Sequence, residues 1–150
     1  MMSFVVRAAV PFACAWAKRQ ESIILKTGVP LSASQAETAT KLGILHPERV
    51  RLRAVVRVPP VNWLFRRVGE RLGFVSSQTI GMALRYGIFI REEHWGDRRL
   101  LVHELVHVVQ YERMGGFRGF LKQYLQECIN PGYPLGDLEQ EAKQTESAHR

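Results

Sequence analysis

The sequence predicts a single α+β domain, because it contains both strand-type and helix-type hydrophobic periodicity. Residues 50–58 alternate apolar and polar side chains, whereas residues 100–114 are apolar nearly all round and contain neither Pro nor Gly. Of the 150 residues, 46% are hydrophobic and 23% are charged, which is typical of a globular protein. This length suits one domain with a proper core and is too short for two ordinary domains.

The N-terminal 45 residues are expected to form a helical segment. The apolar residues 1–17 continue into AKRQESIILKTG, which predicts one helix that ends at Gly28. A turn at residues 29–32 then leads to a short second helix that Gly43 stops.

Residues 46–95 are expected to be rich in strands. The first strand, residues 50–58, has arginines on its solvated face and should bury the alternate residues Val50, Leu52, Ala54, Val56 and Val58. Residues 61–72 read as an amphipathic helix that should bury Trp63, Leu64, Val68 and Leu72. Two more strands, residues 74–84 and 86–91, should meet with Gly87 as the turn residue. The second of these strands can offer its edge to an extended peptide.

Residues 96–150 are expected to form the remaining helices. Gly96-Asp97 supplies an N-cap for the helix at residues 100–114, and Gly115-Gly116 supplies its C-terminal stop. Residues 117–129 follow helical spacing, and their expected core face is Phe117, Phe120, Leu121, Tyr124, Leu125, Cys128 and Ile129. After a segment rich in Pro and Gly, Asp137 and Gln140 form a start resembling a capping box for the last helix.

The helix at residues 100–114 carries the pattern His103-Glu104-Leu105-Val106-His107. Helix residues at i and i+4 lie roughly 5–6 Å apart at Cβ, so the two imidazoles can converge on one tetrahedral metal ion. Glu104 leans over the same site, where it can act on a metal-bound water. Two histidines and a carboxylate on an otherwise apolar helix are costly to bury without partners, which favours a metal site.

A catalytic zinc usually takes a third protein ligand and leaves the fourth position to water. The downstream candidates are Glu112, Glu127, Glu139, Glu141, Glu146 and His149. Glu112 lies at i+5 from His107 and points away from the histidines, and Glu127 lies on the polar side of its own helix. The candidates on the last helix therefore remain.

HELVH, followed about thirty residues later by LEQEA, resembles the gluzincin metallopeptidases. The likeness is strongest to small uncharacterised bacterial zincin-like domains in which an H-E-L-x-H-V-x-Q-Y helix follows a strand that begins with glycine, and it covers residues 81–143. It implies a zincin-like fold, a small sheet packed on the active-site helix, bound zinc, and a peptide or protein substrate. It also implies that Glu104 is the base and that the metal ligands are His103, His107 and Glu139, with Glu141 as the alternative third ligand.

The resemblance leaves two roles to be filled. Several relatives have an aspartate four residues after the ligand glutamate, where this chain has Lys143, so a group that orients an imidazole must come from elsewhere. The oxyanion of the tetrahedral intermediate also needs a hydrogen-bond donor. Tyr133 is the first candidate, with Tyr111 and His94 behind it, although packing between two prolines also explains a tyrosine at position 133.

The net charge of +7 and the arginines between Arg49 and Arg71 invite a nucleic-acid interpretation. No nucleic-acid-binding motif accompanies these arginines, so nucleic acid is not expected as a partner. The alternative to a peptidase is a catalytically weak or inactive zinc-binding scaffold of the same fold, which could dock an acidic partner through this basic surface.

Two features bear on where the protein is found. Cys14 and Cys128 are isolated and imply neither a disulfide framework nor a zinc ribbon, which favours a reducing, cytoplasmic location. Residues 1–17 are interrupted by Pro11 and fall short of the ~20 apolar residues of a membrane span. Small residues at the end of this stretch leave export through an N-terminal signal as the alternative.

Overall fold

The computed structural model describes residues 2–76 and 78–149, which form six α-helices and one four-stranded sheet, in agreement with the predicted α+β class. The helices are α1 (Phe4–Thr27), α2 (Ala33–Leu42), α3 (Trp63–Arg71), α4 (Arg98–Arg113), α5 (Phe117–Glu127) and α6 (Asp137–Ala148). The strands are β1 (Val29–Pro30), β2 (Arg51–Val55), β3 (Gly81–Leu84) and β4 (Gly87–Arg91). Among the described residues, no helix is both long enough and apolar enough to cross a bilayer.

Strand β4 lies inside the sheet, whose order is β1-β2-β4-β3, and it pairs parallel to β2 and antiparallel to β3. Ile88 and Ile90 belong to one buried cluster, together with residues of α4, and Phe89 belongs to another, together with residues of α1 and α5. A strand that is covered on both faces reads as a continuous apolar run, as GIFI does. The free strand edge that was expected on β4 therefore belongs to β3, which is the edge strand beside α4.

Helix α1 ends at Gly28 as predicted, but the next two residues form a strand where a turn was expected. Val29 pairs with Leu52 of β2, and Pro30 pairs with Arg51. A Cβ on Gly28 would lie 2.9 Å from the carbonyl oxygen of Leu52, so the absent side chain is what lets the chain approach β2 so closely.

Strand β2 is shorter than the alternating pattern of residues 50–58 predicts. Its pairing ends where Val55 faces Arg91, because β4 then passes into a short 3₁₀ turn and offers no further partner. Leu52 is buried as expected, whereas Ala54 is exposed although it pairs with Ile90. Val56 is exposed because the chain has left the sheet by then.

The connection between β3 and β4 differs from the prediction in two ways. Strand β3 begins only at Gly81, and the left-handed residue of the turn is Arg85, with φ of 59°, instead of Gly87. The buried carboxylate of Glu21 holds Arg85 by two hydrogen bonds of 2.7 Å. Gly87 is the first residue of β4, where a Cβ would lie 3.0 Å from Ile24, so it permits close packing of α1.

Helix α3 forms where it was predicted, but its expected burial is wrong. The four residues expected in the core are all exposed: Trp63, Leu64, Val68 and Leu72. Val68 and Leu72 border a large cavity instead of a packed core, whereas Trp63 and Leu64 lie outside the described lining of that cavity.

The C-terminal helices follow the predicted order with two corrections. Asp97 caps α4 as predicted, by accepting from the backbone N–H of Leu100. Helix α5 ends at Glu127, so Ile129, which was expected on its core face, lies beyond the helix and is 39% exposed. Helix α6 has Gly136 at its N-cap and no capping side chain of its own. Glu127 of α5 supplies the missing acceptor by binding the backbone N–H of Leu138 at 2.9 Å, so α5 fixes the start of α6.

Candidate metal centre

Helices α4 and α6 bring three side chains together in the interior. Nε2 of His103 lies 3.0 Å from Oε2 of Glu139, and Nε2 of His107 lies 3.1 Å from Oε1 of the same carboxylate. All three side chains are at most 13% exposed. His103, His107 and Glu139 therefore form a possible metal-binding triad in which each residue offers one ligand atom.

The outer nitrogen of His107 is held by Gln110, one helical turn further along α4. Nδ1 of His107 lies 2.7 Å from Oε1 of Gln110, whose Nε2 donates to the carbonyl oxygen of Leu138 at 3.0 Å. A backbone carbonyl only accepts, so Leu138 fixes the orientation of the amide and makes Nδ1 of His107 the donor to Oε1. Nε2 of His107 is then left to face Glu139.

Glu146 plays the same part for His103. Its Oε2 lies 3.2 Å from Nδ1 of His103, and Arg99 approaches its other oxygen at 3.4 Å. A carboxylate accepts, so Nδ1 of His103 donates and Nε2 again faces Glu139. The orienting groups that could not be placed because of Lys143 are thus Gln110 and Glu146. Both are polar side chains on the two helices that form the triad.

The Nε2 atoms of both histidines face the carboxylate of Glu139, so each contact needs a proton or a cation between nitrogen and oxygen. In the protein without metal, protons occupy this position. Burial disfavours the charged form of His103, but its hydrogen bond to Glu139 and the charge of Glu104 outweigh this and raise its pKa to about 9. The pKa of His107 is raised by the same groups against the same cost of burial. Burial opposes ionisation of Glu139 as well, yet the hydrogen bonds from both imidazoles hold its pKa far below the usual range.

A divalent cation can replace these protons at the triad. Tetrahedral coordination with bonds of ~2.0–2.1 Å separates neighbouring ligand atoms by ~3.3 Å. The ligand atoms that the three residues offer all lie within 4.8 Å of one another, close enough for small side-chain movements to reach this spacing. Two neutral imidazoles and one carboxylate are also the ligand set of several catalytic metal sites. The residues present therefore fit a metal ion.

Glu104 lies beside the triad and has an unpaired oxygen. The residue is 4% exposed, and its Oε2 has no hydrogen-bond partner within the described part of the chain. Burial raises the pKa of this carboxyl group. Its other oxygen approaches β3 so closely that a Cβ on Gly81 would lie 2.8 Å from it. A buried carboxylate oxygen with no partner is costly, which indicates that it serves a group bound at the site.

Tyr124 contacts the triad, a contact that the periodicity of residues 117–129 did not predict, since it indicated only a core position. Its hydroxyl donates to Oε1 of Glu139 at 2.9 Å, while its ring stacks on Phe120 with centroids 5.4 Å apart. A buried tyrosine hydroxyl needs a partner, and that requirement was the only signal in the sequence.

The other acidic candidates for a third ligand are engaged elsewhere. Glu141 pairs with Arg113 through bonds of 3.1 and 2.9 Å, and Glu112 accepts from the hydroxyl of Tyr86 at 2.7 Å. Glu127 caps α6, as described above. At the C-terminal end of α6, Nδ1 of His149 lies 2.8 Å from the backbone oxygen of Thr145. Glu139 is therefore the carboxylate of α6 that the fold turns toward both imidazoles.

The three candidates for the oxyanion donor lie in different surroundings. Tyr133 is 55% exposed as a whole and lines the same cavity as Glu104 and Glu139. Partial burial of its hydroxyl and these two charges raise its pKa to about 12, so the hydroxyl keeps its proton at neutral pH. Tyr111 is fully buried and stacks on Phe120 with centroids 3.8 Å apart. His94 approaches Asp97 at 3.8 Å and is absent from the described lining of the cavity.

No family model, curated protein or solved structure matches this chain. The functional assignment therefore rests on the chemistry of the triad and its surroundings. These are Glu104, the hydrogen bonds around the imidazoles and the cavity that the triad borders.

Proposed function

We propose that this protein is a zinc-dependent metallopeptidase of zincin-like type that hydrolyses peptide bonds. The observation that carries the proposal is the convergence of both HExxH histidines on Glu139, next to a buried Glu104 whose Oε2 has no partner among the described residues. Zinc suits a site of two imidazoles and one carboxylate that keeps a position open for water. The resemblance of HELVH and LEQEA to gluzincins supports the same conclusion.

When bound, zinc supplies Lewis acidity toward the scissile carbonyl and lowers the pKa of water to about 7. Glu104 accepts the proton of the attacking water and later donates it to the leaving amine. Burial raises the pKa of Glu104, which makes its carboxylate a stronger base toward a bound water. Gln110, Glu146 and Tyr124 are positioning residues, since they hold the ligands and leave the reacting atoms to others.

The substrate backbone has a place beside Glu104. Strand β3 is the edge of the sheet, and its residues line the cavity that contains the triad. An extended peptide can add to such an edge through main-chain hydrogen bonds, with its carbonyl presented to the metal centre. Tyr133 is the donor proposed for the oxyanion, because its protonated hydroxyl borders the same cavity.

The deciding experiment measures metal content and hydrolysis on matched variants. Purified protein should contain close to one zinc per chain and should cleave members of a broad peptide library. Glu104→Gln should keep the metal and lose cleavage, whereas His103→Ala should lose both. Metal content near zero after gentle purification would contradict the proposal. Metal without any cleavage would instead support the zinc-binding scaffold.

A further inference from the structure

Helix α3 carries an apolar side that nothing in the described chain covers. At 100° per residue, Leu64, Phe65, Val68 and Leu72 fall within about 100° of one another, while the arginines of the helix lie elsewhere around it. These four residues are between 39% and 66% exposed. Exposed apolar surface of this kind marks a binding site when it borders a groove.

Three of the four residues on the apolar side of α3 border a cavity of about 670 Å³. Phe65, Val68 and Leu72 line it from α3, and Phe12 and Trp16 line it from α1. The triad, Glu104 and strand β3 border the same space. Its volume lies within the range of ~300–1,000 Å³ that is typical of ligand sites.

Apart from the candidate metal centre, the described lining of the cavity contains no charged side chain. Within the described lining, the His, Asp, Glu, Lys and Arg side chains are only His103, Glu104, His107 and Glu139, although the chain has 21 Lys and Arg. Arg66 of α3 is turned toward the backbone oxygen of Pro59, to which it donates at 2.7 Å. A charged substrate group would therefore lose its hydration in this space and meet no opposite charge.

We propose that this cavity binds bulky uncharged side chains of a polypeptide substrate and that the apolar side of α3 is buried against them. This inference rests on the proposed peptidase function, because it assigns the substrate class of the same site. Removing apolar surface from water supplies the affinity. A polypeptide is favoured over a lipid chain because residues 81–84 of β3 line the cavity and offer backbone hydrogen bonds that an acyl chain cannot use.

Binding is measured by isothermal titration calorimetry with the zinc-loaded, full-length Glu104→Gln variant, so that no probe is cleaved. The probes are two blocked tetrapeptides of equal length, one of leucine and phenylalanine and one of aspartate and lysine. We expect the apolar peptide to bind at least tenfold more tightly. Adding Val68→Glu should weaken its binding at least tenfold. Adding Phe65→Ser should also weaken it, and this second variant provides the test if Val68→Glu disturbs folding. Leu45→Glu is the matched control, because Leu45 is 75% exposed and lies outside the described lining.

Three outcomes would overturn the inference. These are equal affinity for the two peptides, binding that neither the Val68 nor the Phe65 change affects, and binding to phosphatidylserine vesicles, abolished by Val68→Glu, with no peptide binding. The last result would assign the surface to a membrane. Failure of the proposed function looks different, because the wild-type protein would then cleave neither peptide while Glu104→Gln still preferred the apolar one.

Discussion

Gln110 connects His107 to the start of α6, with Oε1 of Gln110 lying 2.7 Å from Nδ1 of His107. The same amide donates to the backbone oxygen of Leu138, the residue before Glu139. One fully buried side chain therefore fixes the orientation of a predicted ligand and the position of the helix that carries another. This arrangement makes Gln110 the first target for testing how the centre is held together.

Gln110→Ala should weaken zinc binding 10- to 100-fold, the usual loss when a hydrogen-bond partner of a ligand is removed. The change leaves Nδ1 of His107 and the oxygen of Leu138 without their partner. Competition with a chromophoric chelator measures the affinity. Gln144→Ala, at an exposed position of α6, should bind zinc as the wild type does. Equal affinities for the two variants would show that Gln110 does not support the ligand.

Glu139→Gln should abolish zinc binding, whereas Glu141→Gln should retain it. The two carboxylates are two residues apart, but Glu139 faces both imidazoles and Glu141 pairs with Arg113 at a site that is 41% exposed. Exposed pairs of this kind contribute only about 0–1 kcal/mol, so loss of the Glu141 pair should leave the fold intact. Zinc stoichiometry by elemental analysis gives the answer. The reverse pattern would make Glu141 the ligand.

Gly81→Ala should lower kcat/KM, by on the order of 100-fold, while the protein keeps its zinc. The added Cβ would lie 2.8 Å from Oε1 of Glu104 and 3.0 Å from Leu100, so the base must move. Peptide hydrolysis and metal content are measured on the same sample, since retained zinc separates displacement of Glu104 from loss of the centre. Unchanged hydrolysis would show that Glu104 need not occupy this position.

The metal-free protein should lose stability as the pH rises. The folded-state pKa of His103 is about 9, above the usual 6.5, so its interaction with Glu139 stabilises the fold fully below about pH 6.5. This contribution, on the order of 3 kcal/mol, is lost as the pH rises toward 9. Thermal unfolding in chelator should show Tm falling over this range.

Zinc-loaded protein should not show the same fall in Tm, because the metal then takes the place of the protons at the triad. His46→Gln is the control variant, since His46 is half exposed and lies outside the triad. Its metal-free form keeps the triad and should show the same fall in Tm as the wild type. A flat Tm for the metal-free wild type would mean that His103 is not held in its charged form.

Much of the local structure was accessible from the sequence. Asp97 and the Gly115-Gly116 pair define the ends of α4, and the spacing of His103 and His107 places them on one side of it. The amphipathic pattern of α3 correctly predicted a helix, but it could not reveal that the apolar side borders a cavity. Periodicity records which residues share a face and not what that face contacts.

The sequence by itself determined the elements whose causes lie within a few neighbouring residues: the helix caps, the HExxH spacing and the apolar run of β4. Only the tertiary structure decided which carboxylate of α6 meets the imidazoles and that Tyr124, Gln110 and Glu146 hold the three side chains in place. The physical reason is that these contacts depend on the rotation of α6 against α4. That rotation is set by Glu127 and Gln110, whose hydrogen bonds to Leu138 join segments distant in the chain.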